Sequence, residues 1–309
     1  MRFSLRQLEV FTCIAQLQSV SKAAEQLSMS QSAASTALKE LELSYDCLLF
    51  DRAGKRLLIN ALGLQLLPRA LALLEQAQAL ESLLTDNDGF GSLSVGATMT
   101  IGNYLATLLI GHFMQQHPDC KVRLHVHNTA QIVQQVASYQ LDLGLIEGYY
   151  QDRDIIAQSW VADELVVFCA PQHPLAEQGC ASLAELADEA WIVREQGSGT
   201  RLVFEQAFLR HQRSPDIRLE LEHTEGIKRA VESGLGIGCI SRLALRDAFR
   251  RGSLVAIETP ELNLTRHFTF IWHKHKFQSD AMQEFLRLCR ALTANIERSD
   301  EIDLATIIL

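Results

Sequence analysis

The sequence contains no apolar run long enough to cross a bilayer. Its first residues, MRFSLRQLEVF, mix charge with amphipathic spacing, whereas a secretory signal has a basic cap followed by a continuous apolar stretch. The seven cysteines form no C-x-x-C pair, and most stand among apolar neighbours. These absences argue against a secreted or membrane protein and predict a cytoplasmic chain with reduced thiols.

Signals for catalysis and metal binding are also scarce. The glycine-rich stretch GSGTR lacks the Lys-Ser/Thr ending of a P-loop, and its Ser198 lies outside any G-x-S-x-G motif, with no base assignable by spacing. HVH and HKH place two histidines on one face of a strand, but no third ligand is apparent: His125 and His127, His273 and His275. We therefore predict no enzyme, no cofactor and no metal.

Charge is distributed unevenly along the 309 residues. The net charge is −9, yet residues 1–60 contain seven basic and six acidic side chains, so this segment alone suits a polyanion. With 48% apolar and 21% charged residues, the chain has the composition of a folded globular protein. Its length suggests two or three domains.

Three short helices are predicted at the N-terminus. Apolar residues recur at helical spacing over residues 5–16, Ser21 is a suitable N-cap for a second helix, and Ser30 for a third. The third helix carries one apolar stripe, formed by Ala34, Leu38 and Leu41. Its other face carries small polar residues and a lysine: Gln31, Ser32, Ser35, Thr36 and Lys39.

Two short helices joined by a tight turn are typical of a helix-turn-helix, although the ordinary three-helix start of an enzyme domain fits the periodicity comparably well. The next segment shifts the balance, because LLFDRAGKRLLIN predicts a hairpin that can contact phosphates through Arg52, Lys55 and Arg56. Side chains of the third helix can then donate to and accept from base edges.

A long helix is predicted from about residue 60 to residue 85, with Pro68 expected to kink it near its start. One apolar seam has heptad-like spacing and can pair with a second copy of itself: Leu66, Ala70, Leu73, Ala77, Leu80 and Leu84. A second stripe can pack on its own domain: Leu67, Leu71 and Leu74. The polar TDNDGFGS that follows is a natural domain boundary.

Beyond that boundary, predicted strands alternate with helical patterns, which is typical of an α/β sheet built from crossover units. The eight strands are LSVGAT, VRLHVHN, LDLGLIEG, ELVVFCAP, WIVRE, IRLELEHT, GIGCIS and HFTFIWH. The final residues, ERSDEIDLATIIL, end in an unexpected apolar patch, for which fraying and packing on a neighbouring subunit are both open.

These motifs resemble the LysR-type transcriptional regulators. LRQLEVF, SVSKAAEQLSMSQSAASTALKELE, LLFDR and NALG keep the order and spacing of that family's winged helix-turn-helix, and DELVVFCAPQHPLA and EGIKRAVESGLGIGCISRLAL resemble its effector domain. Ser32 stands where many members have proline, and Thr36 where a basic residue is common.

The resemblance implies a winged helix-turn-helix at 1–60, a dimerising linker helix at 61–86 and a hinge at 87–92. A two-lobed α/β domain similar to periplasmic binding proteins follows, with lobe one at 93–162 and 268–295, lobe two at 163–267, and a tail at 296–309. The two crossings between lobes are expected near residues 160–168 and 264–271.

Ligands of open α/β sheets bind beyond the carboxyl ends of the strands, where helix N-termini favour a small anion. We predict such a cleft, lined by Thr98, Thr100, Asn103, Asn128, Thr129, Glu147, Glu195, Ser198, Gly199, Thr200 and Arg201. Arg201 is the expected counter-charge, since a cation in a first helical turn opposes the helix dipole. The alternative is a salt bridge from Arg201 to Glu195 or Glu205.

ATMTIGNY with REQGSGTR resembles a branch of the family associated with sulfur metabolism, which makes sulfite or a related oxyanion a candidate effector. Glu147 disfavours an anion unless a proton or a cation intervenes, and an amino-bearing ligand would suit it better.

The predicted function is a regulator that binds inverted-repeat promoter DNA as a homodimer or homotetramer and works with RNA polymerase. Bases are read by Gln31, Ser32, Ser35 and Thr36, and phosphates are held by Lys39, Arg52 and Lys55. Two alternatives are a solute receptor without a DNA role and an enzyme on the same two-lobed fold.

Overall fold

The chain begins with a three-helix domain and a hairpin. The computed structural model describes residues 1–53, 56–84, 91–148, 150 and 152–303, without the side chains of residues 52, 53, 56, 79 and 82–84. The first elements are α1 (Leu5–Leu17), α2 (Val20–Gln26), α3 (Gln31–Ser44), β1 (Phe50–Ala53) and β2 (Arg56–Ile59). β1 and β2 pair antiparallel, as the hairpin prediction required.

The start of α2 differs from the prediction. Ser19, and not Ser21, is its N-cap: the Ser19 backbone is extended and its hydroxyl accepts the Lys22 N–H at 3.3 Å. The chain leaves α1 through Gln18 in the left-handed region, so the next helix resumes two residues earlier than composition suggested. The Ser30 cap of α3 is confirmed, because its hydroxyl accepts the Ala33 N–H at 3.1 Å.

The linker helix α4 (Ala61–Leu84) contributes to the N-terminal core and also exposes apolar residues. Leu67 and Ala70 are buried against the domain formed by α1 to α3, with Leu71 and Leu74 partly buried beside them. Leu73 and Leu80, by contrast, are 37% and 59% exposed. The helix therefore packs its second stripe on its own domain, but Leu66 and Ala70 of the predicted pairing seam pack there too, which leaves Leu73 and Leu80 as the exposed part of that seam among the described side chains.

A mixed nine-stranded sheet lies at the centre of the described residues after α4, and the predicted two-lobed α/β fold is confirmed. Its strands are β3 (Ser92–Ala97), β4 (Lys121–Val126), β5 (Leu143–Glu147), β6 (Ile155–Cys169), β7 (Ala190–Arg194), β8 (Asp216–Leu221), β9 (Ile237–Ser241), β10 (Val255–Ile257) and β11 (Thr265–His273). Their order is β4-β3-β5-β11-β6-β9-β7-β8, with β10 also paired to β6.

Helices cover both faces of each half of the sheet. Those of the first half are α5 (Met99–Ile101), a π-helical turn (Gly102–Ala106), α6 (Thr107–Gln116), α7 (Thr129–Ala137) and α13 (Asp280–Leu292). Those of the second half are α8 (Pro174–Gln178), α9 (Leu183–Ala187), α10 (Gly199–Leu209), α11 (Thr224–Glu232) and α12 (Arg242–Arg251). Among the described residues, no helix is long and apolar enough to span a membrane.

Two long strands connect the lobes. β6 pairs antiparallel with β11 along its first ten residues and then with β9 of lobe two over Leu165–Phe168. β11 returns beside β6 and pairs with β5 of lobe one over Phe268–Ile271. Since parallel strands on either side end toward this crossing, helix N-termini from both lobes face each other there.

The corrected cap of α2 yields a prediction. Replacing Ser19 by alanine removes the acceptor for an otherwise unpaired helix N–H, which costs about 1 kcal/mol. Amide hydrogen exchange in α2 is expected to accelerate about five-fold in Ser19→Ala. The matched control is Ser21→Ala, which changes an exposed serine of the same helix. Equal acceleration in both variants would contradict this assignment.

Candidate functional site

One face of α3 is open to solvent. Ala34, Leu38 and Leu41 are buried, which confirms the predicted stripe. The opposite residues are all exposed: Gln31, Ser32, Ser35, Thr36 and Lys39. Within this face the Ser32 hydroxyl lies 3.0 Å from that of the cap Ser30. The helix thus presents short polar side chains at its N-terminal end and a lysine further along.

Of the predicted phosphate contacts on the hairpin, Arg52 belongs to β1 by its backbone, and its side chain is outside the described atoms. Lys55 lies outside the described residues. Their roles therefore remain predictions.

Polar groups from both lobes meet at the crossing. Thr98 precedes α5, Thr100 lies within it, and Ser198 precedes α10, with Thr200 in the first turn of α10. All four are buried, at 2–3% exposure. The structure therefore buries these four residues, and it brings Thr100 and Thr200 together through contacts with Glu147.

The Glu147 carboxylate lies at the centre of this group. Its Oε1 accepts the Thr100 N–H at 2.7 Å, and its Oε2 accepts the Thr200 hydroxyl at 2.9 Å. Burial raises the pKa of Glu147, but the charges of Arg266 and Arg194 and the Thr100 hydrogen bond outweigh it, so the pKa falls to about 2. Glu147 is therefore ionised and links the two lobes.

Arg266, which the sequence analysis did not select, supplies the cation of the cleft. Its Nη1 donates to Glu147 Oε2 at 3.0 Å and to the Thr200 hydroxyl at 2.9 Å, while its Nε donates to Asp163 Oδ2 at 2.7 Å. All three charged side chains are at most 1% exposed. Burial lowers the pKa of Arg266, but the two carboxylates raise it overall.

The alternation of residues along the strands could have indicated that Arg266 and Asp163 are buried. Side chains alternate between the two faces of a strand, so Arg266 points to the same buried face as Phe268 and Phe270. Asp163 likewise points to the same buried face as Val161 and Leu165. A charge on the buried face of a strand requires a partner, and the two residues stand opposite each other in the β6–β11 register.

Arg201 was predicted to be the counter-charge of the cleft, but its partners are carboxylates and a carbonyl of its own lobe. Its Nε donates to Glu205 at 2.6 Å, and its Nη1 donates to the Arg194 carbonyl at 2.7 Å and to Glu220 at 3.0 Å. The guanidinium is thus held within its own lobe, by the i,i+4 carboxylate of Glu205 and by Glu220 of β8. The salt-bridge alternative holds, with Glu205 as partner.

Three other predicted cleft residues have different surroundings. Glu195 forms a two-point ion pair with Arg194, at 2.8 and 2.9 Å. Asn128 caps α7 through the Gln131 N–H, and Asn103 is exposed in the π-helical turn. None of the three has a described contact with Glu147 or Arg266.

Thr129 and Gly199 do join the lobes. The Gly199 N–H donates to Thr129 Oγ1 at 3.1 Å, and the Ala130 N–H donates to the Gly197 carbonyl at 3.1 Å. A Cβ at Gly199 would lie 2.2 Å from the Glu147 carbonyl oxygen, so only glycine permits this approach. The lobes are therefore closed on each other.

A second contact between lobes lies at the rim. The Tyr104 hydroxyl donates to Glu225, and Lys228 donates to the Tyr104 hydroxyl at 3.2 Å and to the Ala244 carbonyl at 3.1 Å. Burial, followed by the Glu225 hydrogen bond, raises the pKa of Tyr104. This contact was not anticipated from the sequence.

The rings of His273 and His275 lie next to each other, with centroids 5.7 Å apart. His273 lies 2.6 Å from the Tyr139 hydroxyl through Nδ1, and burial lowers its pKa. Within the described part of the chain no cluster of three or more potential metal ligands occurs.

A helix-turn-helix with an exposed polar face, a long linker helix and a two-lobed α/β domain closed around buried polar groups define a DNA-binding regulator with a small-molecule effector domain. Two family models match the chain: the bacterial regulatory helix-turn-helix protein, lysR family, over residues 5–64, and the LysR substrate binding domain over residues 87–294. The protein belongs to the LysR family of transcriptional regulators.

Individual proteins agree with this assignment. The chain is 41% identical to the HTH-type transcriptional regulator YeiE of Escherichia coli K12 over 298 residues, which cover 96% of this chain and 100% of that protein. A full-length OxyR from Pseudomonas aeruginosa has the same fold, with a TM-score of 0.73 at 22% identity over 94% of this chain and 95% of that one.

The regulatory domain of Synechocystis CcmR, solved in complex with 2-PG, matches with a TM-score of 0.63 at 32% identity, over 68% of this chain and 100% of that one. These comparisons support the family and do not support the narrower assignment to a sulfur-oxyanion branch.

The depressed pKa of Glu147 yields a prediction about pH. A carboxylate with a lowered folded-state pKa stabilises the fold above its ordinary pKa of 4.5, and this contribution is lost as the pH falls toward about 2. Glu147→Gln is expected to lower the melting temperature at pH 7, and the difference from wild type should shrink between pH 5 and pH 2.5. If the difference in melting temperature between wild type and Glu147→Gln stayed constant over this range, Glu147 would not be the ionised partner of Arg266.

Proposed function

We propose that the cleft between the lobes binds a small oxyanion and that its occupancy controls how the chain binds promoter DNA. The observation that carries the proposal is the way Glu147 is held. A helix-end N–H, a hydroxyl and a guanidinium all donate to one carboxylate at 2.7–3.0 Å, so the site has the donors that an anion requires.

One further donor at the cleft is unpaired. Arg266 Nη2 is buried and has no hydrogen-bond partner among the described residues. The Ser198 side chain makes no cap bond, and the Thr98 hydroxyl has only a 3.5 Å contact with the Leu145 carbonyl. A buried unpaired donor costs about 1–3 kcal/mol, so an oxyanion that accepts from Arg266 Nη2 gains that amount.

The charge balance restricts which anion fits. Arg266 neutralises one of its two carboxylate partners, which leaves the buried group of Glu147, Asp163 and Arg266 with one net negative charge. A fully ionised ligand is repelled, whereas an anion that carries a proton can donate it to Glu147. Bisulfite meets this requirement, which makes the sulfite system our first candidate. An amino-bearing ligand is disfavoured because Arg266 already pairs with Glu147.

The DNA-binding half of the proposal uses the open face of α3. Gln31, Ser32, Ser35 and Thr36 would contact bases in the major groove, with Lys39, Arg52 and Lys55 on phosphates. The exposed Leu73 and Leu80 of α4 would pair with a second copy, since family members are typically oligomeric, and a two-fold dimer requires inverted half-sites. Ligand-dependent lobe closure would then alter the promoter bend and the contact with RNA polymerase.

Thermal-shift titration with sulfite at pH 6 and pH 8 tests the ligand, with sulfate, thiosulfate and 2-PG in parallel. We expect sulfite to raise the melting temperature more at pH 6 than at pH 8. In Ser198→Ala the sulfite concentration needed for the same shift should be about ten-fold higher, because one donor is lost. Ser214→Ala, an exposed serine of the same lobe, is the matched control. An unchanged response in Ser198→Ala would exclude this position for the anion.

Mobility-shift titration on the upstream region of the regulator's own gene tests the DNA contacts. Gln31→Ala should reduce discrimination between the site and random DNA by about ten-fold, since a lost base contact costs roughly 1–3 kcal/mol. Lys39→Ala should weaken binding to the site and binding to random DNA equally, and it should reduce the slope of log affinity against log salt concentration by about 1. If Lys39→Ala reduced sequence discrimination and Gln31→Ala weakened binding to all DNA equally, α3 would lie on the duplex in a different orientation.

A further inference from the structure

The segment after α13, for which no function was predicted, lies against the strands that connect the lobes. We define residues 296–302 as the hinge strap; it includes a 3₁₀ turn, Ser299–Glu301. Ser299 and Ile302 are 0% and 1% exposed, so the strap is packed on its own chain. Residues 304–309 lie outside the described part.

The strap is anchored to lobe one by apolar packing and by the crossing strand. The Ile302 side chain belongs to the core that β3, β5, α6 and α13 form, and Ile296 packs against the same core. Arg298 forms a parallel bridge with Ala162 of β6, immediately before β6 passes into lobe two.

Lobe two holds the strap by polar contacts. Arg246 of α12 donates to the Ile302 carbonyl at 2.8 Å. Glu164 of β6 accepts from Arg242 of α12 at 2.9 Å and from Arg298 at 3.4 Å, so one carboxylate joins the strap to that helix. Leu243 of α12 is buried in the same apolar cluster as Ile302.

The strap also contacts the buried charge group. The Ser299 hydroxyl donates to Asp163 Oδ1, which also accepts the Ser241 hydroxyl at 2.7 Å. The other oxygen, Oδ2, accepts Arg266 Nε at 2.7 Å. Ser299 is therefore two side chains away from Glu147, and the path between them runs only through buried groups.

We propose that the hinge strap holds the two lobes closed and positions Asp163, and through it Arg266, at the cleft. Opening of the lobes would move α12 away from the lobe-one core, so the Arg246 bond to Ile302 and the packing of Leu243 on that core would be lost together. The strap thus adds to the free energy by which the closed lobes are favoured over open ones. This proposal does not depend on which ligand the cleft binds.

Amide hydrogen exchange of the ligand-free full chain, resolved to single residues, tests the strap. The Ala130 and Gly199 amides bond across the cleft, so they report lobe opening directly, whereas the Ile132 amide bonds to Asn128 within α7. We expect about five-fold faster exchange at Ala130 and Gly199 in Ser299→Ala, and more than ten-fold in Ile302→Ala, with Ile132 unchanged.

Glu297→Gln changes an exposed residue of the same segment and is the matched control, with no expected effect. Unchanged exchange at Ala130 and Gly199 in both strap variants would overturn the proposal. Equal acceleration at Ile132 would overturn it as well, because the strap would then only add to the stability of lobe one. Arg246→Met, which leaves the lobe-one core intact, should reproduce the effect of Ser299→Ala.

Discussion

The two-lobed domain depends on a buried guanidinium between two carboxylates. Arg266 pairs with Glu147 at the end of β5 and with Asp163 on β6, and all three are shielded from water. Loss of one partner from such a pair costs about 3–5 kcal/mol, because the remaining charge is left uncompensated. The positions of β5, β6 and β11 are therefore coupled, and the Thr200 hydroxyl extends the coupling to lobe two.

This arrangement explains why the cleft contains a carboxylate at all. Glu147 occupies donors at the N-terminal end of α5 and in the first turn of α10 that would otherwise be unpaired when the lobes close. A ligand must therefore be accommodated beside Glu147 and gain from groups that Glu147 does not use. Selectivity then depends on charge and protonation as much as on shape.

Local patterns predicted most of the secondary structure because each pattern has a local cause. The stripe of Ala34, Leu38 and Leu41 and the cap Ser30 specify α3 without reference to the rest of the chain. The predicted cap Ser21 was wrong for α2, because the cap is Ser19, which directly follows Gln18 in the left-handed region, and composition does not reveal that backbone conformation. The resemblance to a family supplied the two-lobed arrangement, which periodicity alone does not.

The sequence by itself determined helix α3 with its buried stripe, the alternation of strands and helices, and the polar residues Thr100 and Thr200 that contact Glu147. Only the tertiary structure decided which arginine faces them. Arg201 is adjacent to these hydroxyls in sequence but bonds to Glu205 within its own helix, whereas Arg266, 66 residues from Thr200, reaches the cleft because β11 runs beside β6. Burial and strand pairing are long-range properties, so proximity in sequence could not assign the counter-charge.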